Sequence, residues 1–381
     1  RAVEPSVAVR DSAGVRIVEN RGVDALPALA WRVDEAPAVD IGGEAGPALH
    51  QVTDACRLGD GRIVVASSGT QQLHVFGADG RHLLAMGRDG DGPGEFRSIF
   101  FVGAMPGDSI ATWDPVLSRF SVFSQAGRFV RAVTPGSSSG APLPRVLGLL
   151  PGARFVAAMT TGAAGIPAPG KAARDTLEFQ VVDASGALVG SLGRFPGTEQ
   201  IAFVDGEGML MRPLPFGQAT VAAVHGGMLY VGHGDRYEVS IHRPGAGLRS
   251  RIRGDRTRLP VTEGDIQAYR RELVTIGGTQ DGRAERQLTQ LLDGAPYPEK
   301  MPAMMALEVD TDGNVWVQET RRPGDAAAET WTVHSAEGAA LGTVSVPRGL
   351  RVKQIGRDWI LGLALDDAGG EHVRLHRLKR S

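Results

Sequence analysis

Residue types that carry out covalent or metal chemistry are sparse in this 381-residue chain, which narrows the functions open to it. Cys56 is the only cysteine, which excludes a disulfide framework within the chain and a cysteine-based zinc site. Of nine histidines, His74, His242, His334 and His376 recur at matching places in similar short stretches, as in Leu73-His-Val-Phe76 and Trp331-Thr-Val-His334. Matching places in separate repeats are separate neighbourhoods, so these four cannot share a zinc ion, which needs converging ligands. A nucleophile elbow needs a strand before its Gly-x-Ser-x-Gly and a helix after it. Gly136-Ser-Ser-Ser-Gly140 falls in the Pro- and Ser-rich stretch 135–144, which reads as a loop, so no elbow is expected. A Ser–His–Asp constellation is spatial rather than sequential, and nothing in the sequence argues for one.

The elements that would position such residues repeat. A short alternating strand, a Gly-bearing turn and a second strand appear at Leu73–Gly80, with Arg81–Gly87 following. The unit returns at Phe120–Gly127, Phe179–Gly186, Val239–Gly245 and Trp331–Gly338, and in shortened form at Val373–Leu378. Each copy follows another strand with its own turn, as in Asp60-Gly-Arg-Ile-Val-Val-Ala66 and Asp312-Gly-Asn-Val-Trp-Val317. Period-2 alternation with Gly-bearing turns marks antiparallel hairpins. Successive copies begin 42 to 92 residues apart, whereas a blade of four strands needs about 40–50, so the longer intervals hold insertions. The 52 Gly and 23 Pro spread along the chain suit many tight turns.

The expected fold is all-β: a six-bladed β-propeller over residues 36–381, preceded by an N-terminal extension, 1–35, with a strand at Val15–Val18. The sixth unit lacks an outermost strand, and residues 36–43 are expected to supply it. The propeller is then closed by an N-terminal strand, which removes open sheet edges. Between blades 4 and 5 a short helical insertion is expected, about 262–293. Thr262 or Asp265 caps its first helix, with Ile266, Tyr269, Leu273 and Ile276 at helical spacing. Gly277-Gly278 breaks it before a second stretch bearing Leu288, Leu291 and Leu292. Residues 135–144 and 161–173 read as loops.

Asp60-Gly-Arg-Ile-Val-Val65, Leu73-His-Val-Phe76, the Gly90-Asp-Gly-Pro-Gly-Glu-Phe96 turn and Asp312-Gly-Asn-Val-Trp-Val317 resemble the NHL-like, six-bladed propellers of exported bacterial proteins. The resemblance spans roughly residues 30–380. It implies export to the periplasm or the extracellular space, and it implies no activity, since most such proteins have none assigned. Arg1 in place of Met suggests a removed leader, and a lipid-bearing cysteine before it would anchor the protein.

The strands placed innermost, near 50–56, 97–103, 145–149, 217–223, 304–309 and 351–356, offer Asp54 and Glu308 but are otherwise mainly apolar. Calcium, which lactonase-like propellers hold in the channel, needs six to eight oxygen ligands, and these strands do not supply them. Neither metal nor cofactor is therefore expected. Positive charge does recur at blade entrances: His50, Arg97 and Arg351 follow an apolar residue at matching places, with Arg145 close by and Lys353 two residues on. Gathered at one mouth, they would favour an anionic group.

A net charge of −2 gives no reason to expect nucleic acid. No apolar run reaches the roughly 20 residues of a membrane span, so any membrane association is peripheral. The function expected is that of a non-catalytic scaffold binding another protein or a membrane protein complex. One setting is an accessory subunit on the periplasmic face of a respiratory or photosynthetic assembly. The alternatives are a lactonase-like hydrolase or lyase and a binder of a small anionic ligand.

Overall fold

The computed structural model describes residues 4–43, 46–136, 145–161, 168, 170–205, 208–277 and 292–380. Before the repeats come β1 (Ser6–Ser12), β2 (Val15–Arg21), β3 (Arg32–Val33) and β4 (Val39–Gly42). The first sheet holds β5 (Val52–Arg57), β6 (Ile63–Ser67), β7 (Gln72–Phe76) and β8 (His82–Met86). The second holds β9 (Phe101–Met105), β10 (Ser109–Asp114), β11 (Arg119–Phe123) and β12 (Phe129–Val133). In the third are β13 (Arg145–Leu150), β14 (Arg154–Thr161), β15 (Ala172–Val182), β16 (Leu188–Asp205) and β17 (Gly208–Pro213). The fourth is built on β18 (Thr220–His225), β19 (Met228–His233), β20 (Arg236–Arg243) and β21 (Gly247–Gly254). After helix α1 (Glu263–Gly277) the fifth sheet follows as β22 (Ala306–Val309), β23 (Val315–Gln318), β24 (Glu329–His334) and β25 (Ala340–Val346). The sixth comprises β26 (Arg351–Ile355), β27 (Trp359–Leu365) and β28 (Glu371–Lys379), joined by β3 and β4.

The first strand of each sheet touches that of the next: β5 meets β9, then β13, β18, β22 and β26 follow in turn, and β26 meets β5. This is a β-propeller. Its core is divided into clusters between adjacent sheets. Phe120 stacks on Phe155, ring centroids 4.5 Å apart, between the second and third, and Ile41, Val65, Leu361 and Val373 meet between the sixth and first. Strands covered on both faces favour apolar residues at successive positions, and β6 is buried throughout, with Ile63, Val64, Val65 and Ala66 followed by Ser67, whose hydroxyl donates to the His50 carbonyl.

One turn recurs between third and fourth strands. The amides of Gly80, Gly127, Gly186 and Gly338 bond back to the carbonyls of Gly77, Ser124, Asp183 and Ser335, at φ +84°, +76°, +90° and +95°. Only glycine takes such angles freely. Space imposes a second demand. A Cβ on Gly127 would lie 3.0 Å from Leu84 of β8, one on Gly186 2.4 Å from Val133 of β12, and one on Gly338 2.9 Å from Ile252 of β21. Each turn thus lies against the outer strand of the sheet before it. For Gly80 in the first sheet the neighbour is Val39 of β4, at 2.8 Å. As expected from the sequence, β4 pairs antiparallel with β28, with Val39 opposite Leu375 and Ile41 opposite Val373.

Other features depart from the expectations. The extension is part of the fourth sheet: β2 runs parallel to β21, with Val18 opposite Ile252, and β1 pairs outside it. Asn20, buried on β2, donates through Nδ2 to the carbonyls of Arg253 and Gly338 and accepts the Ala340 amide through Oδ1. Those bonds tie the extension to the fifth sheet. The expected loop 161–173 is in part strand, because Ala172 and Ala173 pair with Ile201 and Gln200 of the unusually long β16. Residues 162–167 and 169, and 137–144 of the other expected loop, lie outside the described residues. Helix α1 is capped as expected: Thr262 Oγ1 accepts the Asp265 amide while Asp265 accepts the Thr262 amide, a reciprocal box. Most of the second helical stretch, including Leu288 and Leu291, lies outside the described residues. Arg380 pairs at 2.8 Å with Asp310, which is fully buried, and its guanidinium lies 4.5 Å over the Trp31 ring.

Asp310 also accepts the amides of Asp312 and Asn314 and the Trp316 indole N–H, at 2.9–3.0 Å. Replacing it with alanine orphans these donors and a buried guanidinium. Asp310→Ala is expected to cost about 3–5 kcal/mol in urea unfolding; a loss below about 1 kcal/mol would show that the joint is replaceable. Gly186→Ala adds left-handed strain to a clash with Val133, for an expected loss of about 1–3 kcal/mol in the same measurement.

Candidate functional site

All six first strands contribute to one cavity of about 350 Å³ on the axis of the propeller. Phe101 and Val102 of β9, Leu147 and Leu149 of β13, and Val224 of β18 border it, with their side chains packed into the cores between sheets. The charged residues that line it are Asp54 of β5, Arg145 of β13, Glu308 of β22 and Lys353 of β26.

Local irregularity positions two of these. The β26–β27 register jumps between Val352 and Gln354, leaving Lys353 as the extra residue of a bulge, and the β5–β6 register jumps between Val52 and Asp54. A bulge re-aims side chains that a regular pleat would alternate. Lys353 Nζ thereby reaches Asp54 Oδ1 at 2.9 Å, while Asp54 Oδ2 accepts the Val102 amide at 3.0 Å. Asp54 is thus satisfied from two neighbouring sheets.

Glu308 has a different environment. Burial pushes its carboxyl up to about 8; the Lys353 ammonium pulls it back and the Asp54 carboxylate adds to the rise. Near neutral pH it is mostly an uncharged acid, able to donate a hydrogen bond. Arg145 stands exposed at the start of β13. The surrounding protein lowers its pKa and the attraction of Asp54 opposes that fall; an arginine remains a cation regardless. Cys56 also lines the cavity, and burial raises its thiol pKa, so it is no activated nucleophile.

Of the five basic residues expected at one mouth, the structure brings Arg145 and Lys353 together in the channel. Arg97 lies ahead of β9, paired with Asp89 at 3.1 Å and Asp91 at 2.6 Å. His50 is exposed, its backbone bonded to the Ser67 hydroxyl. Arg351 borders a separate cleft with Glu371 and His372. An apolar–basic pair in sequence marks the entry to a strand but not the direction of the side chain, and for that reason these three do not join the others. Asp54 and Glu308 were placed on inner strands by the sequence, but their relation to Lys353 had no local signal.

The repeated histidines are structural partners in separate places. His334 contacts the Tyr237 hydroxyl at 2.8 Å, His376 the Asp34 carbonyl at 2.9 Å, and His74 the ring of His82 at 3.3 Å. Among the described residues no three His, Cys, Asp or Glu side chains are grouped as metal ligands would be.

No protein-family model and no curated protein matches the sequence. Solved structures are similar at low identity. A member of the duf4221 family from Bacteroides vulgatus aligns with a TM-score of 0.52 and 10% identity, over 92% of this chain and 99% of that one. A Bacteroides fragilis protein described as exported gives 0.49 and 10%, over 96% and 99%. Virginiamycin B lyase from Staphylococcus aureus gives 0.42 and 8%, over 92% and 99%. The likeness to the duf4221 protein is one of fold alone.

Proposed function

We propose that the chain is an exported, six-bladed NHL-like propeller, closed by β4, that acts as a protein-binding scaffold in the periplasmic or extracellular space. Its setting is that of an accessory subunit on the outer face of a membrane complex. The observation that carries this reading is where the additions to the four-stranded plan fall. The lengthened β16 with β17, the outboard β1 and β2, and α1 belong to the third sheet, the fourth sheet and the connection to the fifth, which are consecutive. Additions spread evenly would suit loop drift; additions on one flank build a surface.

That flank ends in a sheet edge. All seven residues of β1 are exposed, and Val7 and Val9, 45% and 53% exposed, alternate along it. A free strand edge with apolar side chains pairs readily with another chain, and natural proteins usually blunt such edges. Export follows from the sequence resemblance, and no helix among the described residues is long and apolar enough to cross a membrane.

Co-purification from native membranes in mild detergent tests the scaffold. Stoichiometric recovery of membrane-complex subunits is expected, reduced about tenfold or more by Val7→Asp with Val9→Asp, since charge on an edge opposes strand addition. Recovery of the protein alone would overturn the reading. Calcium bound to the purified protein would replace it with the lactonase-like alternative.

A further inference from the structure

We infer that the free edge of β1 is where two copies of this chain join, their β1 strands adding antiparallel to one another about a two-fold axis at Ala8. The inference rests on the reading of β1 as the open edge of the docking flank, and it names the chain that extends that edge.

The hairpin decides which backbone groups are on offer. Ser12 and Val15 flank the tight turn Ala13-Gly14, with φ of +50° and +78°. Such a turn closes on a hydrogen-bonded pair, and bonded and non-bonded pairs then alternate along an antiparallel ladder. Ser12, Arg10, Ala8 and Ser6 thus direct their amides and carbonyls to β2, whereas those of Val7, Val9 and Asp11 point to the outer edge. The fourth sheet ends at β1, and among the described residues β1 forms no backbone bond with another element.

Side chains then select the register. A second β1 bonds through the same outward groups only where an outward residue faces an outward residue. With Val9 facing its own copy, Val7 meets Asp11, an apolar side chain against a carboxylate. With Val7 facing its own copy, Val9 meets Pro5, which has no amide to give. With Arg10 at the axis, a guanidinium faces its own copy, and like charges directly opposite weaken a ladder. With Ala8 at the axis, each Val7 faces Val9 of the second copy, and each such pair exchanges amide and carbonyl bonds.

That last register gathers the valines of both copies on the face of Val18, a buried residue that lies opposite Val9 on β2. Val7 and Val9 are 45% and 53% exposed in the single chain, and the pairing covers them together. Arg10 falls opposite Ser6 and diagonal to Glu4 of the second copy, so like charges do not meet. Pro5 lies opposite Asp11 near the end of the ladder, a place that tolerates a missing amide. One sheet then runs through both copies. Two docking flanks are brought together, so a membrane partner is held at two points and charge on the edge lowers its recovery.

Sedimentation velocity of the purified full chain, from about 1 to 100 μM, tests the pairing with no membrane partner present. A monomer–dimer equilibrium is expected in that range. Val7→Glu and Val9→Lys should each weaken dimerisation by about tenfold, since each alters two facing pairs. The chain carrying both substitutions sets the new carboxylate against the new ammonium of the second copy in this register. With Val7 or Val9 facing its own copy, the new charges would meet their like. Dimerisation of that double variant should return to within about threefold of the parent and weaken with added salt. Circular dichroism of each variant separates lost pairing from lost folding. A chain monomeric throughout the range overturns the inference, and the scaffold stands if membrane subunits still co-purify. A dimer without co-purifying subunits does the reverse. A dimer that neither single substitution weakens, or that the double substitution does not restore, is joined elsewhere or in another register and overturns it too.

Discussion

The contact between a left-handed glycine turn and the outer strand of the preceding sheet sets how neighbouring sheets pack. At Gly127, Gly186 and Gly338 the turn approaches Leu84, Val133 and Ile252 so closely that a single methyl group would not fit without displacement. At these junctions the approach seals the rim of the inter-sheet core and fixes how far out one sheet stands from the next; the turns at Gly245 and Gly369, in the fourth and sixth sheets, make no such contact. Because Gly80 makes the same contact with Val39, the N-terminal β4 occupies the place that an outer fourth strand takes in the other sheets. A strand of the N-terminal segment and the C-terminal strand β28 are thereby held in one sheet by ordinary ladder bonds.

Around that frame, polar groups pin the additions rather than decorate them. Asn20 uses both ends of its amide to join the extension to the fifth sheet. Arg380 lies between Trp31 and Asp310 and so connects the N-terminal segment, the turn before β23 and the end of β28. Glu238, nearly buried, receives Arg251 and Arg253 at 3.0 and 2.6 Å beneath the added β2. Such buried pairs contribute little net energy over an apolar filling, but losing one partner strands the other, which favours a single arrangement.

The channel shows the converse use of charge. Its lining is regular enough to bring six strands to one axis and irregular enough, at the bulges of β5 and β26, to bring a lysine onto an aspartate from the adjacent sheet. Glu308, without such a partner, responds to burial by keeping its proton. Arg145, exposed at the start of β13, keeps its charge and feels the attraction of Asp54.

Much of the fold was legible because it repeats. The hairpins at Leu73, Phe120, Phe179, Val239, Trp331 and Val373 all fall on third strands of the sheets, and residues 39–42 complete the sixth. Alternation and turn glycines are local properties, so one sequence carries them openly, as it does the cap at Thr262. The sequence also put Asp54 and Glu308 on inner strands. It could not show that β2 would lie parallel to β21, since pairing over more than two hundred residues leaves no local trace. Nor could it separate Arg145 and Lys353 from Arg97, His50 and Arg351. Which way a side chain turns at a bulge, and which carboxylate it meets, depends on backbone from another sheet, and only the assembled ring supplies that.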